Sequence, residues 1–317
     1  MRVAQDQADS LRTPPALDVT ARPLSADAPD GEPTADSGTP RAPLLVVASG
    51  KGGGGKTFMA GNLAFAFRAM GYHPLLVDMD WGLANVDVAL GLAPTRHIGH
   101  VLAGDCTLDE AMIEHEGVVI LPNGCGQPEL AALEDERRSA LVGQIETARP
   151  DRDFLVFDTH PGIGALTVDV AREARATLIV STPEPTALTD TYALFKVLGE
   201  GAMRGPVGLV INQAGSIAQA HQAASLLDSV SQRFLDRGIA SWGYVLMDTA
   251  VRQSVQQQRA LLSVAPRAEA ARLVRQVAGT VAALIDPAGR EKQGGGRSLL
   301  GGRFGGTRRT AGLGRGG

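Results

Sequence analysis

One segment restricts this chain more than any other. A short apolar run, Leu44-Leu45-Val46-Val47-Ala48, passes into Ser49-Gly50-Lys51-Gly52-Gly53-Gly54-Gly55-Lys56-Thr57, and an amphipathic stretch follows in which Leu63, Phe67 and Met70 share one face. The run predicts a buried parallel strand and the stretch a helix. Gly50, Gly55, Lys56 and Thr57 stand where a phosphate-binding loop needs them. Glycines let the backbone curl until its N–H groups converge on phosphate oxygens. The next helix adds the partial positive charge of its N-terminus. Lys56 supplies a point charge for the outer phosphates, and the Thr57 hydroxyl is suited to Mg²⁺. The segment therefore implies ATP and Mg²⁺ at Gly50 to Phe58.

Strand-like runs recur at Leu75–Asp78, Val118–Leu121, Phe154–Asp158, Thr177–Val180, Val207–Asn212 and Ala240–Leu246. Helical stripes separate them, such as Ala187, Leu188, Tyr192, Phe195 and Leu198, or Leu273, Val277, Val281 and Leu284. This alternation predicts an α/β domain over 44–286, with a mostly parallel, doubly wound sheet and helices on both faces. Residues 1–43 are rich in Pro, Asp and Ala and are expected to form a flexible linker. Residues 287–317 are Gly- and Arg-rich and cannot build a core.

Composition removes several classes. Aromatics are 4% of the 317 residues, too few for stacking platforms, and the net charge of −4 does not draw the chain to nucleic acid. No direct nucleic-acid partner is expected. Cys106 and Cys125 form neither a metal cage nor a disulfide framework and read as core residues of a reducing cytosol. No secretory signal or membrane span is expected, so any membrane contact would be peripheral.

Carboxylates end two of the strands. The second closes on Asp78-Met79-Asp80, followed by Trp81-Gly82-Leu83-Ala84-Asn85-Val86-Asp87. Phe154 to Asp158 is four apolar residues and an Asp, leading into Thr159-His160-Pro161-Gly162. Acidic groups at strand ends beside a phosphate loop can hold Mg²⁺ waters and orient an attacking water. Asp158 is expected to hold Mg²⁺ through water. Asp87 reads as structural. His160 reads more readily as a loop histidine than as a group facing the ligand.

The Lys-Gly-Gly-x-Gly-Lys-Thr form of the loop, with Lys51 in addition to Lys56, resembles the deviant Walker A loop of MinD/ParA-class ATPases. That resemblance covers about Leu44 to Ile285. It implies a homodimer with ATP in the interface, Lys51 acting on the partner's nucleotide. It makes the Asp80 segment a switch I, with Asp80 the water-positioning catalytic residue, Asp78 supporting the metal region and Asn85 assisting. It makes Asp158 to Gly164 a switch II, although the class has small residues at the positions of His160 and Pro161. Asn212 matches its adenine-reading asparagine, and Tyr244 to Asp248 with Val251-Arg252-Gln253 its base-closing loop. Within the class, Gly82 to Asp87, Leu90-Gly91-Leu92 and Thr182 to Asp190 resemble the FlhG/FleN flagellar-number regulators. So does Asp6-Gln7-Ala8-Asp9-Ser10-Leu11-Arg12, which matches their Asp-Gln-Ala-x-x-Leu-Arg activator of the GTPase FlhF. The resemblance implies as partners an FlhF-type GTPase, flagellar switch-complex proteins and a flagellar transcription activator, and a cytoplasmic protein that can sit on the inner membrane or at the pole when ATP-bound. Arg297 to Phe304 is either a weak membrane-targeting segment or part of a flexible basic tail. Partition and division-site ATPases of the same class are the alternative reading.

Overall fold

The computed structural model describes residues 42–80, 85–124 and 135–286, with backbone alone for 135–139. The activator motif at 6–12, Trp81 to Ala84, Cys125 and the segment 297–304 lie outside the described residues.

Eight strands form one sheet: β1 (Leu44–Ala48), β2 (Pro74–Met79), β3 (Ile113–His115), β4 (Val118–Leu121), β5 (Phe154–Thr159), β6 (Ala176–Ser181), β7 (Val207–Ala214) and β8 (Ala240–Leu246). Their spatial order is β3-β4-β2-β5-β1-β6-β7-β8. Every pairing is parallel except that of β3 with β4. Seven of the strands are the apolar runs of the sequence. The eighth, β3, has three residues, too short to show a period, and it turns into β4 through Glu116 (φ 49°) and Gly117 (φ 80°).

The inner strands are apolar without alternation because both sheet faces are covered. On one face Val46, Leu75, Val77, Leu155, Phe157, Ile179 and Leu209 point into a core closed by α5 (Asp135–Ala148), α6 (Ala165–Glu173), α7 (Pro185–Leu198) and α8 (Ile217–Leu235). On the other, Leu45, Val47, Leu76, Val156, Leu178 and Val210 meet α1 (Lys56–Ala69) and α11 (Glu269–Ile285). Phe67 of α1 is fully buried, with its ring 4.7 Å from that of Phe154. Truncating such a side chain costs about 3–5 kcal/mol.

Short helices fill two connections: α2 (Val86–Ala89), α3 (Ile98–Ala103) and α4 (Leu108–Ala111) between β2 and β3, and α9 (Thr249–Gln256) and α10 (Leu261–Val264) between β8 and α11. Thr107 and Glu110 start α4 with a reciprocal capping box, and Ser216 caps α8 through the Gln219 N–H. No described helix is long and apolar enough to cross a membrane. The order places β1 between β5 and β6, so the loop after β1 opens at the centre of the sheet's C-terminal edge.

Candidate active site at the sheet edge

The loop after β1 needs its glycines for two separate reasons. Gly55 is left-handed (φ 86°) as it hands over to α1, a conformation other residues adopt only with strain. Gly50 has no room for a side chain, since a Cβ there would lie 2.3 Å from the carbonyl carbon of Asp190 in α7. Gly52, Gly53, Gly55, Lys56, Thr57 and Phe58 line a cavity of about 570 Å³ whose far wall includes Asp80, Asn85 and His160.

Lys56 lies at the floor of the site. Its Nζ is 2.5 Å from Asp158 Oδ1, and both side chains are buried. Burial pushes the Asp158 carboxyl up, while Lys56 pulls it back down. The other oxygen, Oδ2, is buried with no hydrogen-bond partner among the described residues. An orphaned carboxylate oxygen in a protein interior is costly. Together with the Thr57 hydroxyl it makes an all-oxygen donor set that fits Mg²⁺ with its remaining waters.

Register explains the next carboxylate. β2 and β5 run in parallel with Asp78 opposite Asp158. Asp78 Oδ1 accepts from the Asp80 N–H at 3.0 Å, and Oδ2 accepts from those of Asn85 (3.0 Å) and Val86 (3.1 Å). These backbone bonds let Asp78 organise the start of α2 beside Asp158. Burial, and then the charge of Asp158, push its carboxyl up to about 7.

Asp80 is buried, and its carbonyl accepts from Asn123 Nδ2 at 2.8 Å. His160 is not the bystander its sequence position suggested, because its Nδ1 lies 2.7 Å from Asp80 Oδ1. The register accounts for this contact: with Asp78 opposite Asp158, residues 80 and 160 follow on the same two chains.

Lys51 does not line the cavity of its own chain. Its Nζ rests 3.1 Å from Glu184 Oε2 and 2.9 Å from Thr186 Oγ1, at the start of α7. Both residues belong to the Thr182–Asp190 segment. Asn212 is buried and donates from Nδ2 to Gly54 O at 2.9 Å, with Gln213 doing the same to Gly53 O at 3.3 Å. In this state the two amides brace the loop. Asp248 lies two residues beyond β8. It caps α9 through the Ala250 N–H (2.9 Å) and receives the Ala270 N–H (3.1 Å), so both oxygens are used in holding α9 to α11.

Known proteins resemble this chain in sequence and in fold. A family model described as an AAA domain matches residues 43–201. The antiactivator FleN of Pseudomonas aeruginosa is 36% identical over 236 residues, covering 74% of this chain and 84% of FleN. The flagellum site-determining protein YlxH of Helicobacter pylori is 28% identical, covering 77% and 83%. Among solved structures, the septum site-determining protein MinD of Pyrococcus horikoshii, complexed with Mg-ADP, superimposes with a TM-score of 0.66 at 22% identity, covering 78% of this chain and 98% of that one. The MinC:MinD complex of Aquifex aeolicus gives 0.62 at 22% identity, covering 76% and 95%.

Proposed function

Because the chain belongs to the MinD/ParA class of P-loop ATPases, close to FlhG/FleN, we propose that it is an ATP-dependent dimerising switch that regulates flagellar number and placement. The observation that carries the dimer is Lys51. A second loop lysine lies outside its own cavity, on an exposed carboxylate and hydroxyl that can release it. That position suits a lysine whose phosphate contact is in the partner subunit.

In this reading the N–H groups of Gly52 to Lys56 and the Lys56 ammonium hold the phosphates of ATP. Thr57 and Asp158 hold Mg²⁺, which when bound neutralises the phosphate charge. Asp80 orients the attacking water, and Asn85 assists from the loop that Asp78 fixes. Asn212 exchanges its loop contact for the adenine edge, which an amide can satisfy as donor and acceptor together. Turnover is slow, and the product is a conformation.

The flagellar output rests on the likeness to FleN and YlxH and on Asp6, Gln7, Ala8, Leu11 and Arg12. These residues engage an FlhF-type GTPase on a tether that leaves the core independent. Switch-complex proteins and a transcription activator are the further partners, and 297–304 contacts the membrane in the ATP dimer. The test is GTP hydrolysis by the cognate FlhF-type GTPase with the full chain and with its Gln7→Ala variant. Stimulation that disappears in the variant supports the assignment. Absence of stimulation by either protein would turn the reading toward partition or division-site positioning.

A further inference from the structure

A side-chain contact extends the line of β2 and β5 beyond their last paired residues. Asp78 faces Asp158, Met79 faces Thr159, and the next pair is Asp80 and His160, which meet through Oδ1 and Nδ1 at 2.7 Å. Both partners are held from behind. Asp80 is 7% exposed, its N–H donates to Asp78 and its carbonyl accepts from Asn123. The His160 carbonyl accepts from Thr167 Oγ1 at 3.2 Å. Pro161 disfavours the helical region for the residue before it. One residue on, the Gly162 N–H donates to Ser49 O at 2.8 Å, at the first turn of the phosphate loop. The contact is therefore built by two fixed backbones rather than by a wandering surface side chain.

A carboxylate can only accept hydrogen bonds, so the ring nitrogen facing it carries the hydrogen. Resting on the assignment of Asp80 as the water-orienting group, we propose that His160 is its positioning residue. His160 holds one carboxylate oxygen and so sets the direction in which Asp80 meets the attacking water, and it ties Asp80 through 160–162 to the phosphate loop. Misplacement at a reacting centre is expensive in rate.

The test is steady-state Mg-ATP hydrolysis by the full chain, wild type beside His160→Ala, His160→Asn and Asp80→Ala, with the thermal unfolding midpoint of each. His160→Ala is expected to lower kcat about ten-fold or more, the usual scale for loss of an orienting partner. Its KM for ATP should stay within about two-fold and its midpoint near wild type, as expected of an interaction absent from ground-state binding. His160→Asn, whose amide N–H can take the place of Nδ1–H, is expected to recover most of the rate. Wild-type kcat in His160→Ala beside an inactive Asp80→Ala would overturn the inference and leave the ATPase reading standing. So would a loss that comes with a lowered midpoint and is not relieved by Asn, because that is the signature of a structural role. Undiminished hydrolysis in Asp80→Ala would overturn both.

Discussion

Replacing Lys56 with Met removes more than a phosphate ligand. In the free protein Lys56 is the counter-charge of Asp158, with the two atoms 2.5 Å apart and side-chain exposures of 6% and 1%. At an effective dielectric of ~20, two unit charges at that separation attract by about 6–7 kcal/mol. Desolvating two ions offsets most of this, so the intact pair is close to neutral for stability. Removing one partner is different, because it strands the other charge, at a cost of about 3–5 kcal/mol. Lys56→Met is therefore expected to destabilise the nucleotide-free fold by that amount. Lys56→Met with Asp158→Asn should return to within about 1–2 kcal/mol of wild type, although neither variant binds Mg-ATP. The measurement is urea unfolding followed by far-ultraviolet circular dichroism, in EDTA and without nucleotide, analysed as a double-mutant cycle. The sign of the pH dependence follows as well. Burial already raises the Asp158 carboxyl above its ordinary 3.8, and loss of Lys56 raises it further. A carboxyl raised in the folded state contributes stability below its unfolded value and loses it as pH rises. The deficit of Lys56→Met relative to wild type should thus grow as pH rises above the ordinary carboxylate range. A single variant as stable as wild type would refute the buried pair in the free protein. A double variant no better than the single would mean that packing, not charge, sets the cost.

Lys51→Ala should bind Mg-ATP as a monomer but fail to dimerise, whereas Asp80→Ala should accumulate as an ATP dimer; size-exclusion chromatography with light scattering separates the two, and ordinary hydrolysis by a monomeric Asp80→Ala would remove Asp80 from its role. Gly50→Ala places a Cβ 2.3 Å from Asp190 C and 2.6 Å from Thr191 N, both backbone. Overpacking of that kind costs about 1–3 kcal/mol, so a lower unfolding midpoint together with weakened binding of a fluorescent ATP analogue is expected, and normal values for both would mean that the loop can shift away from α7.

The parallel sheet was legible because its strands are buried on both faces and therefore read as unbroken apolar runs. The loop from Gly50 to Thr57 was legible because phosphate binding tolerates so few residue types at fixed places. What stayed hidden depends on pairing between distant segments. Asp78 looks like any strand-end carboxylate until the folded loop turns the N–H groups of Asp80, Asn85 and Val86 onto it. Asp248 carries the acceptor chemistry of a base contact, but in space it is spent on two helix starts. Asn123, two residues past a strand end, gave no local sign that it would hold the Asp80 carbonyl. His160 is hidden because its partner, Asp80, comes from a distant segment and is brought to it only by the register of β2 with β5.

The small strand β3 has a consequence for life at high concentration. An all-parallel sheet ending at β4 would offer four apolar residues and their free backbone groups to any passing strand. Instead the chain doubles back, and its outermost strand is three residues long and carries Glu114 and His115. So short and charged a rim gives another molecule almost nothing to zip onto. The border of the sheet beyond β4 is thereby guarded against stacking into fibres.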